Sequence, residues 1–180
     1  KSPCIIDKDV NLGFAARKVA WSKLINAGQT CVAPDYVLVH EEVKDAFLEK
    51  LKSALNKMMG DQPQKSPDFG RMINKKRFQT VNKYLAQGKL VYGGQTDEAD
   101  LYIAPTILED VKITDTVMQE EIFGPVLPVI SYSSKEEVLD WIEQNPYPLA
   151  LYVYTNNKST EKFYIEHVRF GGGCINNGVI

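Results

Sequence analysis

The apolar positions change period several times along the chain, and each change marks an element. Residues 3–7 open with a short apolar run, Pro3-Cys4-Ile5-Ile6, of the length a buried strand uses. Leu12, Ala15, Ala16, Val19, Ala20 and Leu24 then recur at helical spacing and predict a helix over 12–25. Tyr36-Val37-Leu38-Val39 combines β-branched and aromatic side chains and reads as a strand. Val43, Ala46, Phe47, Leu51, Ala54, Leu55 and Met58 form one stripe of a long amphipathic helix, which Gly60 closes before a loop over 63–67. A third helix starts at Asn74, buries Phe78, Val81 and Leu85 and ends at Gly88. A strand over 89–92 follows, with a turn at Gly93-Gly94.

Strand-like runs recur at 103–108, 126–130, 149–154 and 173–176. Pro128 has no N–H to give a ladder, so it predicts a sheet edge or a bulge. Ser134 with Glu137 three positions on is a capping box that opens a helix, and another helix starts near Asn157 and carries Phe163, Tyr164 and Val168. Strands alternating with helices at this spacing predict an α/β fold, a layered and mostly parallel sheet flanked by helices. No internal repeat, low-complexity tract or linker interrupts the pattern, so residues 1–180 read as a single domain.

Composition narrows the class without naming a function. The 180 residues are 44% hydrophobic and 24% charged, as in a soluble globular protein with a core of its own. A net charge of -2 without a basic block argues against a nucleic-acid or membrane surface. No apolar run approaches the roughly 20 residues of a membrane span. Cys4, Cys31 and Cys174 show neither CxxC nor Cys-His spacing, which argues against a disulfide framework or a metal site and for a reducing, cytoplasmic setting. The chain starts at Lys1 with no methionine or signal-peptide pattern and reads as a piece of something longer.

Two segments could carry chemistry. Cys31 follows Asn26, Gly28, Gln29 and Thr30, poor core residues, and precedes Pro34, which ends the helical pattern. That context suits a loop thiol able to attack a carbonyl, although free cysteines are more often small buried hydrophobes. The histidines that could activate such a thiol are His40, at a strand end, and His167, inside a helix. The second segment is Gln119-Glu120-Glu121-Ile122-Phe123-Gly124-Pro125, either a solvated loop entering a strand or a place where a carboxylate accepts sugar hydroxyls beside an aromatic wall.

Taken together, Gly28-Gln29-Thr30-Cys31 and the later Glu120-Glu121-Ile122-Phe123-Gly124-Pro125 closely resemble the aldehyde dehydrogenase superfamily. Lys1-Ser2-Pro3 is similar to the end of that family's Glu-Leu-Gly-Gly-Lys-Ser-Pro segment. Val32-Ala33-Pro34-Asp35-Tyr36, with residues 170–177, resembles the class 3 branch, which favours medium-chain, fatty and aromatic aldehydes. The resemblance implies that Cys31 is the nucleophile and that its own N–H is one oxyanion donor. It implies that Glu121 accepts hydrogen bonds from the nicotinamide ribose of NAD or NADP and that Phe123 lies beside it. Trp21 and Ile25, one helical turn apart, are either core residues or the wall of an aldehyde tunnel. Cys4 and Cys174 read as buried, inert thiols.

The implied chemistry is addition of the Cys31 thiolate to the aldehyde, hydride transfer from the thiohemiacetal to NAD(P)+, and hydrolysis of the thioester by a water that needs a general base. In the family that base is the glutamate just before the Gly-Gly-Lys that Lys1 ends. The Rossmann domain, with a second oxyanion donor, is likewise expected upstream of residue 1. An oligomerisation strand is expected downstream, with a homodimer as the full-length form. In keeping with this, no GxGxxG occurs, and Gly171-Gly172-Gly173 lacks its spacing and following helix. A cysteine hydrolase using His40 or His167, and a non-catalytic domain with the same fold, are the competing readings.

Overall fold

In the computed structural model, which describes residues 1–179, the chain begins with β1 (Pro3–Ile6), α1 (Leu12–Leu24), β2 (Tyr36–His40), α2 (Lys44–Met59), α3 (Lys75–Tyr84) and β3 (Lys89–Tyr92). It continues through β4 (Thr96–Asp97), β5 (Tyr102–Ile103), β6 (Thr106–Glu109), α4 (Thr116–Gln119) and β7 (Val126–Tyr132). It ends with α5 (Lys135–Glu143), β8 (Ala150–Tyr154), α6 (Lys158–His167) and β9 (Gly172–Ile175). Among the described residues one seven-stranded sheet has the order β3-β6-β7-β2-β1-β8-β9. Every neighbouring pair in it is parallel except β3 with β6. The mostly parallel α/β layer read from the sequence is therefore the observed fold.

β1 lies inside the sheet, between β2 and β8, and is buried along its whole length. A parallel strand covered on both faces needs a continuous apolar run rather than an alternating one, and Pro3-Cys4-Ile5-Ile6 supplies it. Its side chains alternate between two cores. Cys4 and Ile6 pack with Val37, Val39, Val129 and Tyr152 under Val19 of α1 and Phe47 and Leu51 of α2. Ile5 packs with Leu38, Leu108 and Val153 under Phe78 and Val81 of α3, Val138 and Ile142 of α5 and Tyr164 of α6. Fully burying side chains of this size contributes about 1.5–3 kcal/mol each, which fixes the helices to the sheet.

Helix starts follow the side-chain chemistry. Asn11, Asn74 and Asn157 accept first-turn N–H groups at the heads of α1, α3 and α6. At α5, Ser134 Oγ accepts the Glu137 N–H at 3.2 Å, while the Glu137 carboxylate reaches one residue further back, to Ser133 N at 2.8 Å.

Three expectations change. Pro128 is on neither an edge nor a bulge, because β7 lies between β6 and β2. It ends the pairing with β6 (Leu108 opposite Pro128), and the pairing with β2 begins only at Val129, so its missing N–H falls where one ladder stops and the next starts. The run at 103–108 is two strands, since Ala104-Pro105 breaks it and Ala104 N–H donates instead to Gln95 O at 2.9 Å. α3 ends at Tyr84, earlier than Gly88, and α4 was not legible as a helix.

The polarity of the sheet positions the site. β1, β2, β6, β7, β8 and β9 all begin along one edge, here called the leading edge. The Cys31 loop enters β2 and the Glu120–Pro125 loop enters β7, and these strands are neighbours. Both candidate segments therefore open on the leading edge, side by side.

Candidate active site

After α1 the chain makes a tight 3-10 turn in which Asn26 (φ 50°), Ala27 (φ 53°) and Gly28 (φ 75°) are all left-handed. Such a conformation costs a non-glycine residue about 1–2 kcal/mol, so the turn must be held from outside. Asn26 Nδ2 donates to Gln29 O at 2.9 Å, and Gln29 N–H returns to Asn26 O at 3.1 Å. Gln29, a poor core residue by type, is in fact buried. Its Nε2 donates to Asn26 O (3.1 Å) and Arg71 O (2.9 Å), and its Oε1 accepts from Ile73 N (2.9 Å), which satisfies the amide and ties the loop to residues 71–73.

Cys31 follows in a turn closed by Ala33 N–H to Thr30 O at 3.0 Å, and its side chain is exposed. Among the described residues no protein acceptor takes the Cys31 N–H or the Val32 N–H. Two contacts hold the loop from beneath. Lys23 Nζ donates to Pro34 O at 3.0 Å, and Tyr152 Oη donates to Val32 O at 2.6 Å. Burial lowers the Lys23 pKa to about 8, against the attraction of Asp35.

The second loop is held as firmly. Asp35 Oδ1 accepts the Ile122 N–H at 3.0 Å, and Asp35 Oδ2 pairs with Lys1 Nζ at 2.7 Å. Lys1 Nζ also donates to Val117 O (2.8 Å) and Glu120 O (2.6 Å), and Arg77 Nη2 donates to Ile122 O at 2.5 Å. Burial pushes the Lys1 pKa down, and the Asp35 carboxylate opposes that. The two glutamates diverge. Glu120 Oε2 accepts from Tyr84 Oη at 3.1 Å, whereas Glu121 is exposed and forms no hydrogen bond or ion pair among the described residues. Half-buried Phe123, at φ 46°, follows it. The loops also meet directly: a Cβ placed on Gly28 would lie 2.2 Å from Gly124 O, so the glycine permits backbone-to-backbone contact.

An exposed thiol beside free backbone N–H groups, with an unengaged carboxylate and an aromatic ring on the adjoining loop, coincides with a sequence match over the full chain. The profile of the aldehyde dehydrogenase family matches residues 1–180. This chain belongs to the aldehyde dehydrogenase family. Human aldehyde dehydrogenase family 3 member B1 is 45% identical over 178 residues, 99% of this chain and 38% of that protein. The rat aldehyde dehydrogenase named dimeric NADP-preferring is 45% identical over 180 residues, covering 100% of this chain and 40% of that one. Among solved structures, the substrate-bound state of Staphylococcus aureus AldH matches with a TM-score of 0.96 and 41% identity, over 99% of this chain and 40% of that one. Indole-3-acetaldehyde dehydrogenase complexed with NAD+ matches with a TM-score of 0.86 and 32% identity, over 98% and 38% of the two chains. The chain thus spans about two-fifths of the length of these aldehyde dehydrogenases.

The remaining positions named from the sequence separate clearly. Trp21 is 43% exposed, so it is not a core residue, and Ile25 is half-buried one turn later. Cys4 is fully buried, and burial pushes its thiol well up. Cys174 is only partly buried, unlike the expectation, because β9 is an edge strand; its Sγ contacts Gly178 O at 3.6 Å. His40 ends β2, opposite the leading edge, and accepts from Glu42 N; His167 Nδ1 lies 2.8 Å from Phe163 O. Neither histidine is hydrogen-bonded to Cys31, which leaves the hydrolase reading without its base.

A cavity of about 720 Å³ is lined by Asn56, Gln64, Tyr92 and Tyr102, among others, and its lining includes none of Cys31, Glu121 or Phe123. The candidate site is instead an open edge of the sheet, where the loops entering β2 and β7 lie side by side. Sequence reading missed the supports, namely Lys1, Lys23, Asp35, Arg77, Tyr84 and Tyr152. Lys23 and Tyr152 had a signal, since each interrupts an otherwise apolar buried pattern with a polar tip.

Proposed function

We propose that this chain is the catalytic domain of an NAD(P)-dependent aldehyde dehydrogenase that oxidises medium-chain, fatty or aromatic aldehydes to carboxylic acids. The convergence of Cys31 and Glu121 on the leading edge, with the Gly28 backbone seated on the Gly124 carbonyl, carries this reading. In it, Cys31 Sγ adds to the aldehyde carbon, and the charge gathering on the aldehyde oxygen is met by the free Cys31 N–H. A donor in that role contributes about 3–4 kcal/mol to transition-state stabilisation.

The residues present fit a dinucleotide. Glu121 keeps a carboxylate free for a pair of ribose hydroxyls, and Phe123 offers a ring as a wall. NAD(P)+, when bound, supplies the hydride acceptor that turns the Cys31 thiohemiacetal into a thioester. Water then attacks the thioester carbonyl, and the C–S bond breaks to release the acid and the Cys31 thiolate. The base for that water is assigned to a glutamate in the segment that precedes Lys1 in the family, and Lys1 is pinned by Asp35 beneath the Glu120–Gly124 loop. Trp21 and Ile25 are assigned to the aldehyde wall. The full-length protein is taken to carry a Rossmann domain upstream, to form a homodimer and to be cytoplasmic.

The test is NAD(P)H formation at saturating aldehyde by the full-length protein and by residues 1–180 alone, each with and without Cys31→Ala. We expect turnover only in the full-length protein with Cys31 intact. Turnover by residues 1–180 alone would mean the base lies within them, and full activity of the long Cys31→Ala variant would remove the nucleophile.

A further inference from the structure

We propose that Tyr152 is a positioning residue for the nucleophile, its phenol holding the Cys31 turn by the Val32 carbonyl and so fixing the direction of the Cys31 N–H and thiol. The inference rests on the reading of Cys31 as the nucleophile and adds a residue to it. Tyr152 is the third residue of β8, and its neighbours across the ladder are Cys4 on one side and Cys174 on the other. The residue is buried, at 3% exposure, so the phenol is delivered from inside the packed sheet. Its Oη lies 2.6 Å from Val32 O, one residue after Cys31.

The turn needs such a hold. It is exposed at Cys31, and the Ala33 N–H to Thr30 O bond at 3.0 Å is its own internal closure. An exposed turn with one closing bond samples other orientations of its peptides unless something outside it is fixed. Of the two outside contacts, Lys23 on Pro34 O and Tyr152 on Val32 O, the Val32 carbonyl is the fixed point next to Cys31. With it held, the preceding peptide, which carries the Val32 N–H, and the Cys31 N–H before it are restricted in direction. Burial also pushes the phenol well above its ordinary range, so it remains a donor through the working pH range. Tyr152 is not an acid or base for the reaction, because its proton is committed to a backbone carbonyl.

A second buried tyrosine supplies the control. Tyr132 Oη donates to Ile6 O at 3.2 Å, also from inside the sheet, but at the end of β7 away from the leading edge. Tyr152→Phe and Tyr132→Phe in the full-length protein each remove one buried phenol-to-backbone hydrogen bond and keep the ring. The expected result for Tyr152→Phe is a kcat at least tenfold lower, KM for NAD(P)+ within twofold, and alkylation of Cys31 by iodoacetamide several-fold slower with a displaced pH midpoint. Tyr132→Phe leaves all three unchanged. Wild-type kcat and alkylation in Tyr152→Phe, or an equal loss in Tyr132→Phe, would overturn the proposal. If Tyr152→Phe fails to fold, trifluorotyrosine placed at 152 alone keeps ring and hydroxyl. The expected result is then a second inflection in alkylation rate against pH that wild type lacks, and its absence overturns the proposal. Cys31→Ala, assayed beside these variants, separates the two levels: activity without Cys31 would sink the nucleophile reading, whereas an inactive Cys31→Ala with an unaffected Tyr152→Phe sinks only the role of Tyr152.

Discussion

Alanine at Gly28 tests whether the two loops of the site are one rigid unit. The substitution does two separable things. It places a side chain at φ +75°, where a non-glycine residue costs about 1–2 kcal/mol. It also sets a Cβ 2.2 Å from Gly124 O and 2.7 Å from Gly124 C, both backbone atoms. Gly124 has little room to shift, because it packs closely against Val81 and Met72 of the core. Overpacking of this kind costs about 1–3 kcal/mol, so the sum is about 2–5 kcal/mol. Gly60→Ala is the control without a contact: at φ +68° and ψ -171° a side chain is strained by about 1–3 kcal/mol, yet nothing lies within 4 Å of the added Cβ. In unfolding free energies from urea titration, Gly28→Ala should carry the added contact cost of about 1–3 kcal/mol, which Gly60→Ala lacks. Cys31 alkylation should change in Gly28→Ala and not in Gly60→Ala. Equal destabilisation by the two substitutions, with unchanged thiol reactivity, would refute the coupling of the loops.

The two adjacent glutamates should separate by assay. Glu121→Ala should raise KM for NAD(P)+ at least tenfold while leaving stability within about 0.5 kcal/mol, as for an exposed side chain without partners. Glu120→Ala, which strands Tyr84 Oη, should cost about 1 kcal/mol with little change in KM, and the reverse pattern would exchange their roles. Lys23 gives a pH signature. Its folded pKa of about 8 lies below the ordinary 10.5, so above pH 8 the unfolded chain binds the extra proton and stability rises with pH until about 10.5. Relative to Lys23→Met, wild type should gain up to about 3 kcal/mol across that window in urea titrations, and parallel curves would show that Lys23 is not buried as a charge.

The periodic elements were legible in the sequence because their signal is local. Most of the stripe from Val43 to Met58, the helix start at Asn74, the capping box at Ser134 and the Tyr36 strand follow from residues within one or two turns, although Ala46 of that stripe is exposed and Leu48 is buried in its place. Where tertiary contacts decided, the sequence pattern misled. Pro128 looked like an edge residue because nothing in its neighbours states which ladder ends there. Gln29 looked like a loop residue because its three hydrogen-bond partners lie at Asn26, Arg71 and Ile73. The site divides the same way. Cys31, Glu121 and Phe123 stood out through the motif resemblance, but the charges and hydroxyls that hold them, Lys1 to Asp35, Arg77 to Ile122 and Tyr152 to Val32, are separated by tens of residues or more. No spacing rule reaches that far.

The central place of β1 has a consequence for how the chain acquires its site during synthesis. β2 follows β1 closely and can pair with it at once, but the other flank of β1 waits for β8, and Ala150 N–H closes on Ser2 Oγ across 148 residues. At a translation rate of about 5–20 residues per second, that interval is on the order of 10 s. Throughout it, one side of β1 presents an unpaired, wholly apolar ribbon, the kind of nascent edge on which chaperones act and misfolded chains associate. Tyr152 arrives with the same late strand. Cys31 therefore emerges from the ribosome long before the phenol that hydrogen-bonds the next residue's carbonyl, and the Thr30–Ala33 turn gains that contact only as the sheet is completed.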